Sequence, residues 1–136
     1  MNSNVEFEVH VQAPVVYGIP RTAFTAEVAE QYFQTIRDAA RELGQWILFE
    51  HPQSTVTLAN IDTDLVIQHY SQLAQQGCAG IAVLVNQAIV GAVRKPQALS
   101  HLPIPFQASR NPIELSHFVE SLIAQFQDSS ERQNLA

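Results

Sequence analysis

The chain is poor in the residue types from which dedicated chemistry is usually built. It has one cysteine, five glycines, and seven Lys+Arg against thirteen Asp+Glu. Cys78 alone cannot close an internal disulfide or form a CxxC pair, so the core must hold the fold, and a reducing cytoplasm is the expected compartment. The phosphate-cradling loops that need glycine are missing too: no GxGxxG follows a strand, no GxxxxGKS/T occurs, and no serine has a GxSxG setting. Four of the five glycines are expected to serve as turns and helix stops. The basic residues are scattered apart from Arg94–Lys95 in a chain of formal charge −6, so no stripe exists to neutralise phosphates. Nucleic acid and anionic membrane are therefore not expected partners.

Long apolar runs are also missing. The longest, Gly80 to Val93, falls short of the roughly 20 residues of a bilayer span and is interrupted by Asn86 and Gln87. Membrane insertion is not expected. The opening "MNSNVEFEVH" has neither the basic nor the apolar region of a secretory signal. The five histidines, at 10, 51, 69, 101 and 117, include no HxH or HxxxH, so neither a metal nor a cofactor is expected.

What remains is a well-filled core. With 136 residues, 46% hydrophobic and 15% charged, the chain is expected to form one domain over residues 1–126, followed by a flexible tail at 127–136. "VEFEVHV" alternates apolar and polar residues with the period of a half-buried strand, and "PVVYGI" follows so closely that an antiparallel hairpin is implied. The period then changes: Val28, Tyr32, Ile36 and Leu43 recur at helical steps, predicting a helix over 26–43 with Thr25 as N-cap and Gly44 as stop.

"QWILFE" (45–50) and "GIAVLV" (80–85) read as strands covered on both faces, as in a parallel sheet. Between them a helix is predicted over 61–76, with Leu65, Val66, His69, Tyr70 and Leu73 on one face and Gly77 as stop. "IPFQA" (104–108) predicts a shorter strand, and 87–100 has room for a short helix. In "RNPIELSHFVESLIAQF", Asn111 is the N-cap, Pro112 the first helical residue and Glu114 the capping-box partner of a helix over 112–126. The order β-β-α-β-α-β-(α)-β-α predicts an α/β fold: a mixed, mostly parallel sheet with a leading β-hairpin and helices packed on it.

Few residues invite a chemical reading. Glu50 and His51 end a strand, where α/β sheets bind ligands, and either could serve as a general base. As neighbours on an extended chain they point to opposite sides, and a solvated strand end explains Glu50 as well. His69 and His117 are expected in core or rim positions, and the tyrosines and phenylalanines in the core. Cys78 has no neighbouring cation to activate it and is expected to be inert.

The leading hairpin, "TAEVAEQY", "WILFE" and "PFQASRNPIELSHFV", in this order of elements, resemble the STAS domain of sulfate transporters and anti-sigma factor antagonists, in particular its SpoIIAA-like branch. The resemblance covers roughly residues 5–126. In the antagonists of that family, a Ser or Thr in an Asp-Ser-Ser/Thr-Gly-like motif at the start of the second helix is phosphorylated, and the new charge blocks partner binding. The matching stretch is "NIDTD", with Asp62 and Thr63 in the places of the Asp and the modified hydroxyl. The sequence departs from the motif at Asp64, and Asp62 and Asp64 would repel a phosphate of charge about −2. The same letters also describe a helix cap, with Asn60 or Asp62 as N-cap and the acids complementing the helix dipole.

The resemblance implies a cytoplasmic, regulatory, non-enzymatic module that binds a protein partner, with a homodimer among the assemblies it allows. Ser54, Thr55, Thr57, Asn60 and Asp64 would form the partner surface. A different class of function is a small-molecule binder for a nucleotide or lipid, with a pocket among Tyr17, Arg21, Phe24, Glu50, His51 and Asn86. A third is an enzyme using Glu50 or His51 as base.

Overall fold

A computed structural model describes residues 6–22, 25–53, 63–85 and 102–135, the side chains of Thr63 and 127–135 excepted. The hairpin forms where the alternating pattern puts it. β1 (Phe7–Gln12) turns through Ala13 and Pro14 into antiparallel β2 (Val15–Pro20), with Gln12 opposite Val15 and Phe7 opposite Pro20. β3 (Trp46–Glu50), β4 (Cys78–Leu84) and β5 (Phe106–Ser109) add in parallel, giving one five-stranded sheet in the order β1-β2-β3-β4-β5. The α/β class and the mixed, mostly parallel sheet with its leading hairpin are thus present. The helix expected within 87–100 falls outside the described residues.

Helix α1 (Ala26–Ala40) starts as expected, with the Val28 amide donating to the Thr25 hydroxyl at 3.1 Å. It ends before 43 because the chain tightens into a turn, where the Leu43 amide donates to the Ala40 carbonyl. Gly44, at φ 70°, reverses the chain. Helix α2 (Thr63–Gln75) stops at Gly77, whose φ is 98°. A Cβ on Gly77 would lie 2.2 Å from the Gly44 carbonyl oxygen, so the two helix stops meet at one point. β4 begins at Cys78, two residues earlier than expected, because the sheet pairs Cys78 with Trp46.

Helix α3 (Pro112–Leu135) begins at the expected Pro112, and the Ile113 amide donates to the Asn111 side chain at 2.9 Å. The capping box is indirect. The Asn111 amide donates to the Ser109 hydroxyl (3.0 Å), which in turn donates to the Glu114 carboxylate (2.7 Å). The helix continues to Leu135, through the segment expected to be a tail.

The layers are unequal. α1 lies over β1 and β2, and α2 over β4, on one face of the sheet. They bury Phe7, Val9, Val16, Tyr32, Phe33, Ile36, Trp46, Leu48, Leu73 and Ile81 there. Trp46 is wholly buried, its indole N–H donating to the Gln76 carbonyl at 3.1 Å. Among the described residues the other face is covered by α3 alone, which packs on β4 and β5. Its Leu122 joins buried Val15 and Ile47, with Phe118, Val119, Ile123 and Phe126 alongside.

Gly80 permits that approach, since a Cβ there would lie 2.3 Å from Leu122 Cδ1. Gly18 and Gly80 are therefore strand glycines serving close packing, not the turns and stops expected of most glycines. No described helix is long and apolar enough to cross a membrane.

The contact between α3 and β4 makes a double-mutant prediction. Gly80→Ala should destabilise the fold by about 1–3 kcal/mol through overpacking. Leu122→Val removes the offending methyl, so the pair should cost less than the sum of the single changes. Chemical denaturation of the four proteins measures this; strict additivity would show that α3 does not depend on the notch at Gly80.

Candidate functional site

The sheet register places Val9 beside Gly18 and Gly18 beside Glu50, one row across the face covered by α1 and α2. Gly18 has no side chain, so Tyr32 of α1 descends over it; a Cβ on Gly18 would lie 2.1 Å from the tyrosine oxygen. Tyr32 thereby donates its hydroxyl to Glu50 Oε2 at 2.5 Å, and Tyr70 of α2 donates to Oε1. Glu50 is 5% exposed. Neither the solvated strand end nor a place in a pocket with Tyr17 and His51 describes it, because β3 turns this side chain into the core and α1 and α2 close over it.

Burial pushes the Glu50 carboxyl above its ordinary value, against the opposing pull of the two hydroxyl hydrogen bonds. Burial first, and then the proximity of Glu50, raises both tyrosine hydroxyls well above their usual range, so they remain donors. Each carboxyl oxygen accepts from one core hydroxyl, and the group is enclosed by the two helices that supply them. It acts as the polar knot between β3, α1 and α2.

His69 lies beside this knot. Its ring stacks on Phe33 with centroids 4.4 Å apart and planes at 11°. The residue is 4% exposed, and neither ring nitrogen has a hydrogen-bond partner. The nearest acid, Glu30, is 3.7 Å from Nε2, outside hydrogen-bonding reach. Burial lowers the His69 pKa; Glu30 pulls it up and Arg37 pushes it down. The imidazole is held as a neutral, aromatic core residue.

The opposite face is where side chains meet solvent. Its rows across the sheet are Gln12–Val15–Ile47–Gly80 and His10–Tyr17–Phe49–Ala82. α3 covers Val15, Ile47 and Gly80 of the first row. Beyond it, among the described residues, an open groove of about 460 Å³ is lined by His10, Gln12, Tyr17, Gly18, Ile19, Phe49 and His51. Tyr17 and Phe49 form its aromatic floor, with ring centroids 5.5 Å apart. His10 and His51 are both exposed and stand on either side.

Of the pocket expected from the sequence, the structure brings together Tyr17 and His51. Glu50 is on the other face, and Arg21 is engaged with Glu8 at 2.8 Å. Phe24 and Asn86 lie outside the described residues, as do Ser54, Thr55, Thr57, Asn60 and Asp62. Thr63 opens α2, and exposed Asp64 lies in its first turn. Sequence reading missed His10, Gln12, Ile19 and Phe49. The available signal was the alternation of β1 and β2, which assigns His10, Gln12, Tyr17 and Ile19 to one face.

Cys78 is buried, and its burial pushes the thiol up to about 11, as befits an unreactive core residue. A second groove, about 370 Å³, lies between the last turns of α1 and α2; its Arg37 and Arg41 already bond Gln72, Gln34, Glu30 and Asp38. Among the described residues no group of three His, Cys, Asp or Glu side chains stands together to hold a metal ion.

The two buried titrating groups predict opposite pH dependences. Glu50 has a raised folded-state pKa, so its contribution is full below the unfolded carboxyl value of 4.5 and declines as pH rises through the folded value. Glu50→Gln should remove that decline in pH-dependent unfolding, whereas Glu50→Leu should cost about 1–3 kcal/mol for each tyrosine hydroxyl left unpaired. His69 has a lowered pKa, so stability falls as pH drops through the unfolded value of 6.5. His69→Phe should preserve the stack on Phe33 and flatten that acid limb; an unchanged limb would show that His69 does not cause it.

Comparison with family models, curated proteins and solved structures finds no match for this chain.

Proposed function

We propose that this protein is a non-catalytic binding module of STAS-like, SpoIIAA-like design, and that it holds a protein partner in the groove that the described residues form on the α3 side of β1–β3. The observation carrying this reading is the Tyr17–Phe49 floor, half-buried at the margin of the α3 cluster and flanked by exposed His10 and His51. Aromatic side chains in a partly desolvated patch, ringed by polar groups, are the usual anchors of protein recognition.

The groove is open along the sheet, whereas a small-molecule site normally encloses most of its ligand. A protruding side chain or short segment of a partner fits it better. His51 also joins this face to the stretch 51–60, the loop expected from the sequence to carry the partner surface. Glu50, tied to Tyr32 and Tyr70, is better accounted for as structure than as a general base.

A photo-crosslinking aromatic residue introduced at Tyr17 should, on irradiation in the native cells, yield a defined protein adduct. His51→Glu in the same chain should reduce the yield at least tenfold. Crosslinking unaffected by His51→Glu, or a small molecule retained in a native mass spectrum, would overturn the partner reading.

A further inference from the structure

The outer edge of β1 has a self-complementary pattern. The Arg21 amide donates to the Glu6 carbonyl at 2.9 Å, which fixes the hydrogen-bond parity of the hairpin. Glu8, His10 and Gln12 then direct their backbone groups toward β2, and Val9 and Val11 direct theirs away from it. Among the described residues β1 is the outermost strand on that side. An open edge of this kind is a template for a further strand. Val11 on this edge is 41% exposed, one of two large apolar side chains exposed among the described residues.

We propose that the partner fitting this edge is a second copy of the chain, joined antiparallel through β1 about a two-fold axis at Val9. The parity allows few registers. With Val9 opposite Val9 of the second copy, the outward backbone groups of both strands form hydrogen-bonded pairs, and Val11 lies beside Phe7 of the other chain. Glu8 then stands opposite His10 of the second copy, twice, in the closer, non-hydrogen-bonded positions. An imidazole donates to a carboxylate whether neutral or protonated. Shifting the axis to Glu8 would place Glu8 against its own copy, and shifting it to His10 would oppose two imidazoles. Of these three registers, the one at Val9 sets an acid against an imidazole.

The layer above the sheet supports this assembly independently. α1 lies over β1, and a second α1 must lie beside it in the dimer. Glu30 and Arg37 mark the flank of α1 turned toward α2, through His69 and Gln72. The opposite flank carries Val28, Thr35 and Ala39, all partly buried. These small side chains allow a second helix to approach closely. The isologous contact is closed, as a two-fold interface must be. It leaves both Tyr17–Phe49 grooves on the same face, and so goes beyond the partner reading without depending on it.

Single-cysteine substitutions test the register, because Cys78 is buried and its thiol is inert. The wild-type protein should sediment at twice its 15.1 kDa chain mass at high micromolar concentration. A mixture of Glu8→Cys and His10→Cys proteins should form a disulfide-linked dimer on mild oxidation, while each variant alone should not. Crosslinking by either variant alone would overturn the Val9 register. Val11→Pro, which removes only an outward amide, should give a folded monomer; a monomeric wild type, or a Val11→Pro protein that stays dimeric, would overturn the edge-strand assembly.

Discussion

A carboxyl group buried without compensation destabilises a small domain, and Glu50 is compensated from two directions. Tyr32 reaches it from α1 and Tyr70 from α2, so a side chain at the end of β3 ties both helices of one layer to the sheet. The knot requires an empty position on β2, which Gly18 supplies, and an aromatic surround, which Phe7, Phe33 and Phe106 supply through ring contacts. Polar networks of this kind either satisfy every member or destabilise the core. Here the oxygens of the acid and the hydroxyls of its partners are mutually satisfied, and this arrangement specifies how α1 and α2 lie on the sheet.

The same layer holds a polar group without such satisfaction. His69 stacks on Phe33 with no hydrogen bond to either nitrogen. Glu50 favours acid and His69 disfavours it, so two neighbouring core groups pull the pH dependence of stability in opposite directions. The other face of the sheet is organised by size. The small residue at Gly80 lets α3 lie close, whereas Tyr17 and Phe49, in the row of Ala82, are only half-buried at the margin of the α3 cluster. That contrast makes one part of the face core and leaves the other part open for recognition.

Much of the fold was legible because it is written locally. Thr25 caps α1, Asn111 and Pro112 start α3, and the alternation in β1 fixes its two faces. The continuous apolar runs around Leu48 and Ile81 marked strands covered on both sides, and both residues are fully buried. The knot was not legible, because Tyr32 and Tyr70 lie 18 and 20 residues from Glu50 in sequence and meet it only through the sheet register. One signal pointed toward it: a glycine within a strand marks a close approach, and both Gly18 and Gly80 are such residues. The groove was half legible. Tyr17 and His51 were assigned to a common pocket, but Glu50 was grouped with them although an extended chain turns it to the opposite side of His51.

The single tryptophan occupies a telling place in this arrangement. Trp46 is sealed beneath the helix-covered face, with its N–H held by the end of α2, while the aromatic groove opens on the reverse side of the sheet. Its emission is therefore a reporter of core integrity and of the seating of α2. A fluorescence change would thus mark a disturbance of the core, while an event confined to the groove would leave the indole's surroundings intact.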